Sequence, residues 1–170
     1  VILGMSSMIL AFAYPFMKRI TYWPQLFLGL TFNWGIIMGW ASIMNSILIE
    51  PIILYLSAIF WTLGYDTIYG LQDIRDDEII GVKSTSIKFK NNVKIFVGVC
   101  YSLCALFILT LCFMIEINKY LLILSIFFIT TLIYQLIVFR SDNPKSCLKA
   151  FKINNLTGIF VFIFILSFTF

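Results

Sequence analysis

An all-α integral membrane protein of six spans is predicted by three observations: a shortage of charge, long uncharged segments, and cations crowded on one side. Of 170 residues, 61% are hydrophobic and 12% charged, where a soluble domain carries about 25% charged. So few charges cannot build a water-facing surface. Segments 1–17, 20–49, 95–115, 120–139 and 153–170 lack charge apart from their edges and approach or exceed the roughly 20 residues that cross a bilayer. A sixth, 51–65, is shorter and runs into an acidic stretch. β-Barrel strands would alternate polar and apolar residues instead.

Taken in chain order, the first span ends at Lys18 and Arg19, and Tyr22 and Trp23 follow, rings that settle at a membrane interface. Pro24 is expected to open the second helix, since proline suits a first turn. That helix carries Gly29, Gly35 and Gly39, small residues that let membrane helices approach closely. Asn33 is its polar exception, read either as an interhelical hydrogen bond or as a substrate contact. Glu50-Pro51 marks the far-side turn before the third span. The fourth span holds Cys100, Cys104 and Cys112; Cys147 lies later, and the chain has no His. A zinc site or a His-based triad therefore finds no ligands, and the cysteines read as small apolar core residues. Asp142-Asn143-Pro144 reads as a turn before the sixth span.

Six spans force the loops to alternate sides. Eleven of the twelve Lys and Arg residues fall in the first, third and fifth loops, and only Lys119, near Glu116, falls in an even one. The positive-inside rule then puts the odd loops in the cytoplasm, or in the matrix if the membrane is mitochondrial. The net charge of +4 reflects this topology, and no nucleic-acid partner is expected; the lipid bilayer is the expected surrounding.

Five of the eight acidic residues lie between Asp66 and Glu78, at the cytoplasmic end of the third span. If that helix continued at 100° per residue, Asp66, Asp73 and Asp77 would fall within about 20° of one direction, Tyr69 at the edge of that face and Arg75 opposite. Like charges at i and i+4 cost about 0.2–0.5 kcal/mol on an exposed helix. An unpaired Asp73/Asp77 couple therefore calls for a cation, and Mg²⁺ suits it, because this ion takes one or two carboxylates, keeps waters and bridges to substrate phosphates. An acidic surface loop is the alternative. Lys18, Arg19 and Lys83 share that membrane side, either as topological charge or as a clamp on a phosphate leaving group.

The run Y-D-T-I-Y-G-L-Q-D-I-R-D-D at 65–77, with I-G-V-K-S-T at 80–85, resembles the second aspartate-rich motif of the UbiA-type membrane prenyltransferases, and most closely that of their 4-hydroxybenzoate polyprenyltransferases. The run Y-P-F-M-K-R-I-T-Y-W-P-Q at 14–25 resembles the family's Y-x-x-x-K cap loop and the start of the helix that follows it. The resemblance implies a nine-helix bundle around a central cavity, with residues 1–170 as one domain supplying its last six helices. It implies a polyprenyl diphosphate and 4-hydroxybenzoate as substrates, with the new bond ortho to the phenol hydroxyl. On it, Asp73 and Asp77 become metal ligands and catalytic residues alongside Asp66 and Arg19. Tyr14, Lys18, Asn33, Tyr69 and Lys83 become the substrate-binding set.

The family's first aspartate-rich motif, N-D-x-x-D-x-x-x-D, is absent from these residues. Together with a start at Val1 inside an apolar segment, that suggests a fragment lacking upstream helices, inactive alone, with a separate polypeptide as one possible source of the missing part. A bacterial inner membrane is the expected location and a mitochondrial inner membrane the alternative. Other UbiA-type transfers, to haem or in menaquinone or chlorophyll synthesis, are rival activities. An ion-coupled transporter is a rival of another class, disfavoured because these carboxylates sit at a helix end rather than at the bilayer midplane.

Overall fold

Apolar runs with no neighbour to pair as strands satisfy their backbone internally only as helices, and helices are what form. The computed structural model describes residues 1–115 and 119–167. Among them lie ten helices, α1 (Ile2–Ile20), α2 (Pro24–Phe32), α3 (Trp34–Met44), α4 (Ile49–Gly70), α5 (Ile74–Ile80), α6 (Thr85–Lys88), α7 (Val93–Met114), α8 (Lys119–Val138), α9 (Pro144–Lys152) and α10 (Asn154–Leu166), and no strand. Five stretches are long and apolar enough to cross a membrane: Pro24–Met44, Ile49–Gly70, Val93–Met114, Lys119–Val138 and Pro144–Leu166. The chain is an all-α integral membrane protein. The first expected span is α1, of 19 residues, whose apolarity is diluted by Ser6, Ser7, Tyr14, Pro15 and its two terminal cations.

Several boundaries differ from the sequence expectation. The span expected at 20–49 is two helices, opened by Pro24 as anticipated and broken at Asn33. There the Asn33 amide donates to the Gly29 carbonyl at 2.9 Å, a side-chain bond that competes with the helical ladder and lets the backbone leave α geometry at φ −90, ψ 0. The far-side turn lies at residues 45–48, before Glu50-Pro51. Asn45 takes the left-handed conformation at φ 51, and Pro51 sits in the first turn of α4, where proline is tolerated. The last span begins earlier than expected, so Lys145, Lys149 and Lys152 lie on α9 rather than in a loop. Glu116 and residues 168–170 lie outside the described residues.

The core forms around α4, which packs on α2, α3, α6, α7 and α9. It meets α7 at Gly64, where a Cβ would stand 2.4 Å from the Tyr101 ring, so glycine makes room for that ring. Gly29 plays the same part on α2, its missing Cβ 3.1 Å from the Ile59 carbonyl. Gly35 and Gly39 have open space instead, so the small-residue stripe closes at one end only. All four cysteines are buried and free, in keeping with a packing role. Tyr101, Gln135, Asn154 and Thr157 join α7, α8 and α10 through buried hydrogen bonds: Tyr101 to Gln135 at 2.5 Å, then Gln135 to Asn154 at 3.0 Å and to Thr157 at 3.1 Å. In hydrocarbon, such bonds have no water to compete with them.

Candidate functional site

The acidic segment is built on two helices, not one. α4 ends at Gly70, the Leu71 and Gln72 amides turn back to Ile68 and Tyr69 at 3.3 and 3.1 Å, and α5 starts after Asp73. The break falls in closely packed surroundings. Leu71 is 3% exposed in the core, and a Cβ on Gly70 would stand 2.5 Å from Ser86 Oγ. The single helical face expected for Asp66, Asp73 and Asp77 is therefore not formed. Asp66 belongs to the last turns of α4, while Asp73 sits at the N-cap of α5 and its carbonyl accepts from the Asp77 amide at 2.9 Å.

Asp73 and Asp77 still lie together. Burial pushes the Asp77 carboxyl above the usual aspartate range; Lys18 opposes that shift, and the Asp73 and Asp76 charges add to it. Arg75 is set apart from Asp66 and Asp77, which do not line the cleft it occupies. It lines a cleft of about 500 Å³ with Asp73, Asp76, Lys90 and Asp142. Glu78 is bound by Lys90 at 2.7 Å.

The cap-loop residues arrive at the same place. The Lys83 amide donates to the Lys18 carbonyl at 2.8 Å, and the Lys83 ammonium donates to the Ile20 carbonyl at 3.2 Å while lying over the Tyr22 ring. Lys18 is close enough to act electrostatically on both Asp66 and Asp77, and Asp66 in turn on Tyr14. Tyr14, Lys18, Asp66, Asp73, Asp77 and Lys83 thus converge at one end of the bundle. Arg19 is exposed on the same turn of α1.

Two expected site residues stand elsewhere. Tyr69 packs on Phe151 of α9 with ring centroids 4.7 Å apart. Asn33 donates to Thr62 Oγ1 at 2.9 Å, the interhelical bond that was one of its two readings. It also lines an apolar cavity of about 110 Å³ with Ser57, Trp61, Cys104 and Phe128.

Residues not singled out from the sequence support this end. Gln25 accepts from the Thr85 amide at 3.0 Å, and Thr67 meets Thr85 and Ser86. A Ser/Thr run beside Lys83 was visible, but its burial was not.

Among the described residues, no three His, Cys, Asp or Glu side chains converge as a metal-binding cluster. A carboxylate pair is what the segment provides. That donor set fits a hard divalent ion which completes its shell with water and phosphate oxygens, and it fits a thiolate- or imidazole-seeking metal poorly.

Comparison with known proteins shows the family of the chain. The profile of the UbiA prenyltransferase family matches residues 1–156. A protein of Bos taurus, "4-hydroxybenzoate polyprenyltransferase, mitochondrial", is 38% identical over 170 residues, covering 95% of this chain and 44% of its own. Its namesake from Aedes aegypti is 37% identical over 165 residues, covering 96% of this chain and 37% of its own. One from Arabidopsis thaliana is 53% identical over 96 residues, covering 56% of this chain and 24% of its own. The chain thus spans less than half the length of these relatives. No solved structure matches.

Proposed function

Because this chain belongs to the UbiA prenyltransferase family, we propose that it forms the C-terminal part of a 4-hydroxybenzoate polyprenyltransferase of ubiquinone synthesis. Within the enzyme it carries the second aspartate-rich motif and the cap loop. The observation that carries the proposal is the Lys83-to-Lys18 backbone bond of 2.8 Å, which brings the basic loop that follows the acidic segment against the cationic end of α1. Cations beside paired carboxylates suit a diphosphate held together with its metal. The relatives' printed names supply the acceptor.

Members of this family generally use divalent metal ions, and Asp73 and Asp77 are the residues that would hold one, Mg²⁺ by their oxygen chemistry. When bound, it offsets the negative charge that grows on the departing diphosphate. Lys18, Arg19 and Lys83 bind the same diphosphate oxygens and stabilise the same charge. As the C–O bond to the diphosphate breaks, an allylic cation develops. The 4-hydroxybenzoate carbon ortho to the hydroxyl donates its electron pair to form the new C–C bond, and that carbon then loses its proton. Asp66 supplies the carboxylate nearest the apolar side, and Tyr14 contacts the substrates. The isoprenoid tail lies in apolar surroundings, where each buried methylene contributes about 0.8 kcal/mol.

The cationic first, third and fifth connections face the cytoplasm or matrix of a bacterial or mitochondrial inner membrane. The test joins this chain to the N-terminal helices of the bovine relative and assays the product in membranes with several acceptors. Transfer to 4-hydroxybenzoate is expected; preferred transfer to haem or to another aromatic acceptor contradicts the assignment.

A further inference from the structure

A knot of uncharged side chains binds α6 to α2 and α4 directly behind Lys83, and its donors and acceptors can be assigned. Thr67 Oγ1 lies 2.6 Å from the Leu63 carbonyl and donates its one hydrogen there. In the 2.6 Å contact between Thr67 and Thr85 hydroxyls, the hydrogen must then come from Thr85. Ser86 Oγ donates to the Thr67 carbonyl at 2.8 Å. Thr67 is thus gripped by two successive residues of α6. From the other side, Gln25 of α2 accepts the Thr85 amide at 3.0 Å. Thr67, Thr85 and Ser86 are each 0% exposed, and Gln25 is 5% exposed.

Position gives the knot a purpose beyond packing. Thr67 directly follows Asp66, Gln25 follows the cap loop, and Thr85 lies two residues after Lys83. The knot therefore joins the acidic helix, the cap segment and the basic loop at one point. Gly70 is part of the fit, since a Cβ there would stand 2.5 Å from Ser86 Oγ. None of these groups titrates near neutral pH, so the link holds whatever the charge state of the site. A dry hydrogen bond is also directional, which a salt bridge between long side chains is not.

We infer that Thr85 is a positioning residue, holding Lys83 and the Lys18 carbonyl in register with Asp66 through Thr67 and Gln25. The inference rests on the prenyl-transfer reading for its purpose, but its geometry does not. Thr85→Val keeps the shape and removes the hydroxyl; Thr85→Ser keeps the hydroxyl.

Hydrogen exchange on the chain in lipid nanodiscs tests the register directly. The Lys83 amide exchanges several-fold faster in Thr85→Val, returns to the wild-type rate in Thr85→Ser, and the α7 and α8 amides stay protected. If Thr85→Val does not fold, Gln25→Ala, which removes one bond of the knot, carries the same expectation. In the enzyme completed with upstream helices, Thr85→Val raises the KM for the prenyl diphosphate more than it lowers kcat, and Thr85→Ser restores it. An unchanged Lys83 amide, protection lost equally across α7 and α8, or a faster Lys83 amide with unchanged KM each overturns the role. Exchange needs no turnover, so an inactive completed enzyme with the expected exchange pattern counts against the prenyl-transfer reading alone.

Discussion

Lys90 grips both carboxylate oxygens of Glu78, at 2.7 and 2.9 Å, and so withdraws one of the five clustered carboxylates from metal binding. Both side chains remain partly exposed, at 52% and 37%, where an ion pair contributes about 0.2–1 kcal/mol. Glu78→Gln should therefore change neither turnover nor Mg²⁺ dependence in the completed enzyme. A raised Mg²⁺ requirement in that variant would put Glu78 among the ligands.

Lys18 should matter more than Arg19. Both are exposed, but the Lys18 charge acts on Asp66 and Asp77 and that of Arg19 acts on neither. A charge-assisted bond is worth about 1.5–3 kcal/mol, so Lys18→Ala should raise the KM for the prenyl diphosphate on the order of tenfold or more. The same variant removes the group that opposes the raised Asp77 pKa. Protons then compete with metal up to a higher pH, and the acid limb of the Mg²⁺ dependence moves upward. Kinetics measured across pH check both; wild-type values would leave Lys18 only a topological role.

Asn33 holds α2 to α4 through Thr62 at 2.9 Å. Interhelical bonds of this kind average about 0.6 kcal/mol and reach about 1.7. Asn33→Ala and Thr62→Val should each lower the unfolding midpoint in detergent, and the double variant should lose less than their sum. Additive losses would mean that the bond contributes nothing, leaving substrate contact as the reason for Asn33.

α4 is long and apolar enough to cross a membrane, carries Glu50 near its start and ends at the turn before Arg75, so the proposed topology puts the two positions on opposite membrane faces. Single cysteines replacing Glu50 and Arg75, in a background without the native four, should react with an impermeant maleimide from opposite sides. Labelling from one side would contradict the topology.

The all-α membrane class was legible because a bilayer permits few solutions for uncharged runs, and because charge, hydropathy and loop alternation all report the same thing. Pro24 as a helix opener was legible for a local reason, its fixed φ. The break between α4 and α5 was not. Gly70 alone does not compel a stop, and the packing around the break, with Leu71 in the core and no room for a Cβ on Gly70 beside Ser86 Oγ, is visible only in the fold. Asn33 was legible as an exception but not as a helix break, since its back-bond to Gly29 competes with a ladder that apolar neighbours would otherwise continue. Gln25, Thr67 and Thr85 escaped notice for the same reason. A Ser/Thr run beside lysines reads as surface, and the partner that buries it lies 60 residues away. Of the site, the residue types were readable; which helix carries each carboxylate was not, because that depends on tertiary packing.

On the proposed function, Asp73 and Asp77 would hold the metal that engages the diphosphate. Turnover as a function of Mg²⁺ concentration in the completed enzyme tests it most directly, with Asp73→Asn and Asp77→Asn compared at equal protein abundance. Each variant should lose most of its activity, need more Mg²⁺ for half-maximal rate and be partly rescued by excess metal, because one anionic ligand fewer weakens the ion and the charge stabilisation it provides. Arg75→Ala should change the curve far less. Near-normal turnover in Asp73→Asn with an unchanged Mg²⁺ dependence would contradict the assignment.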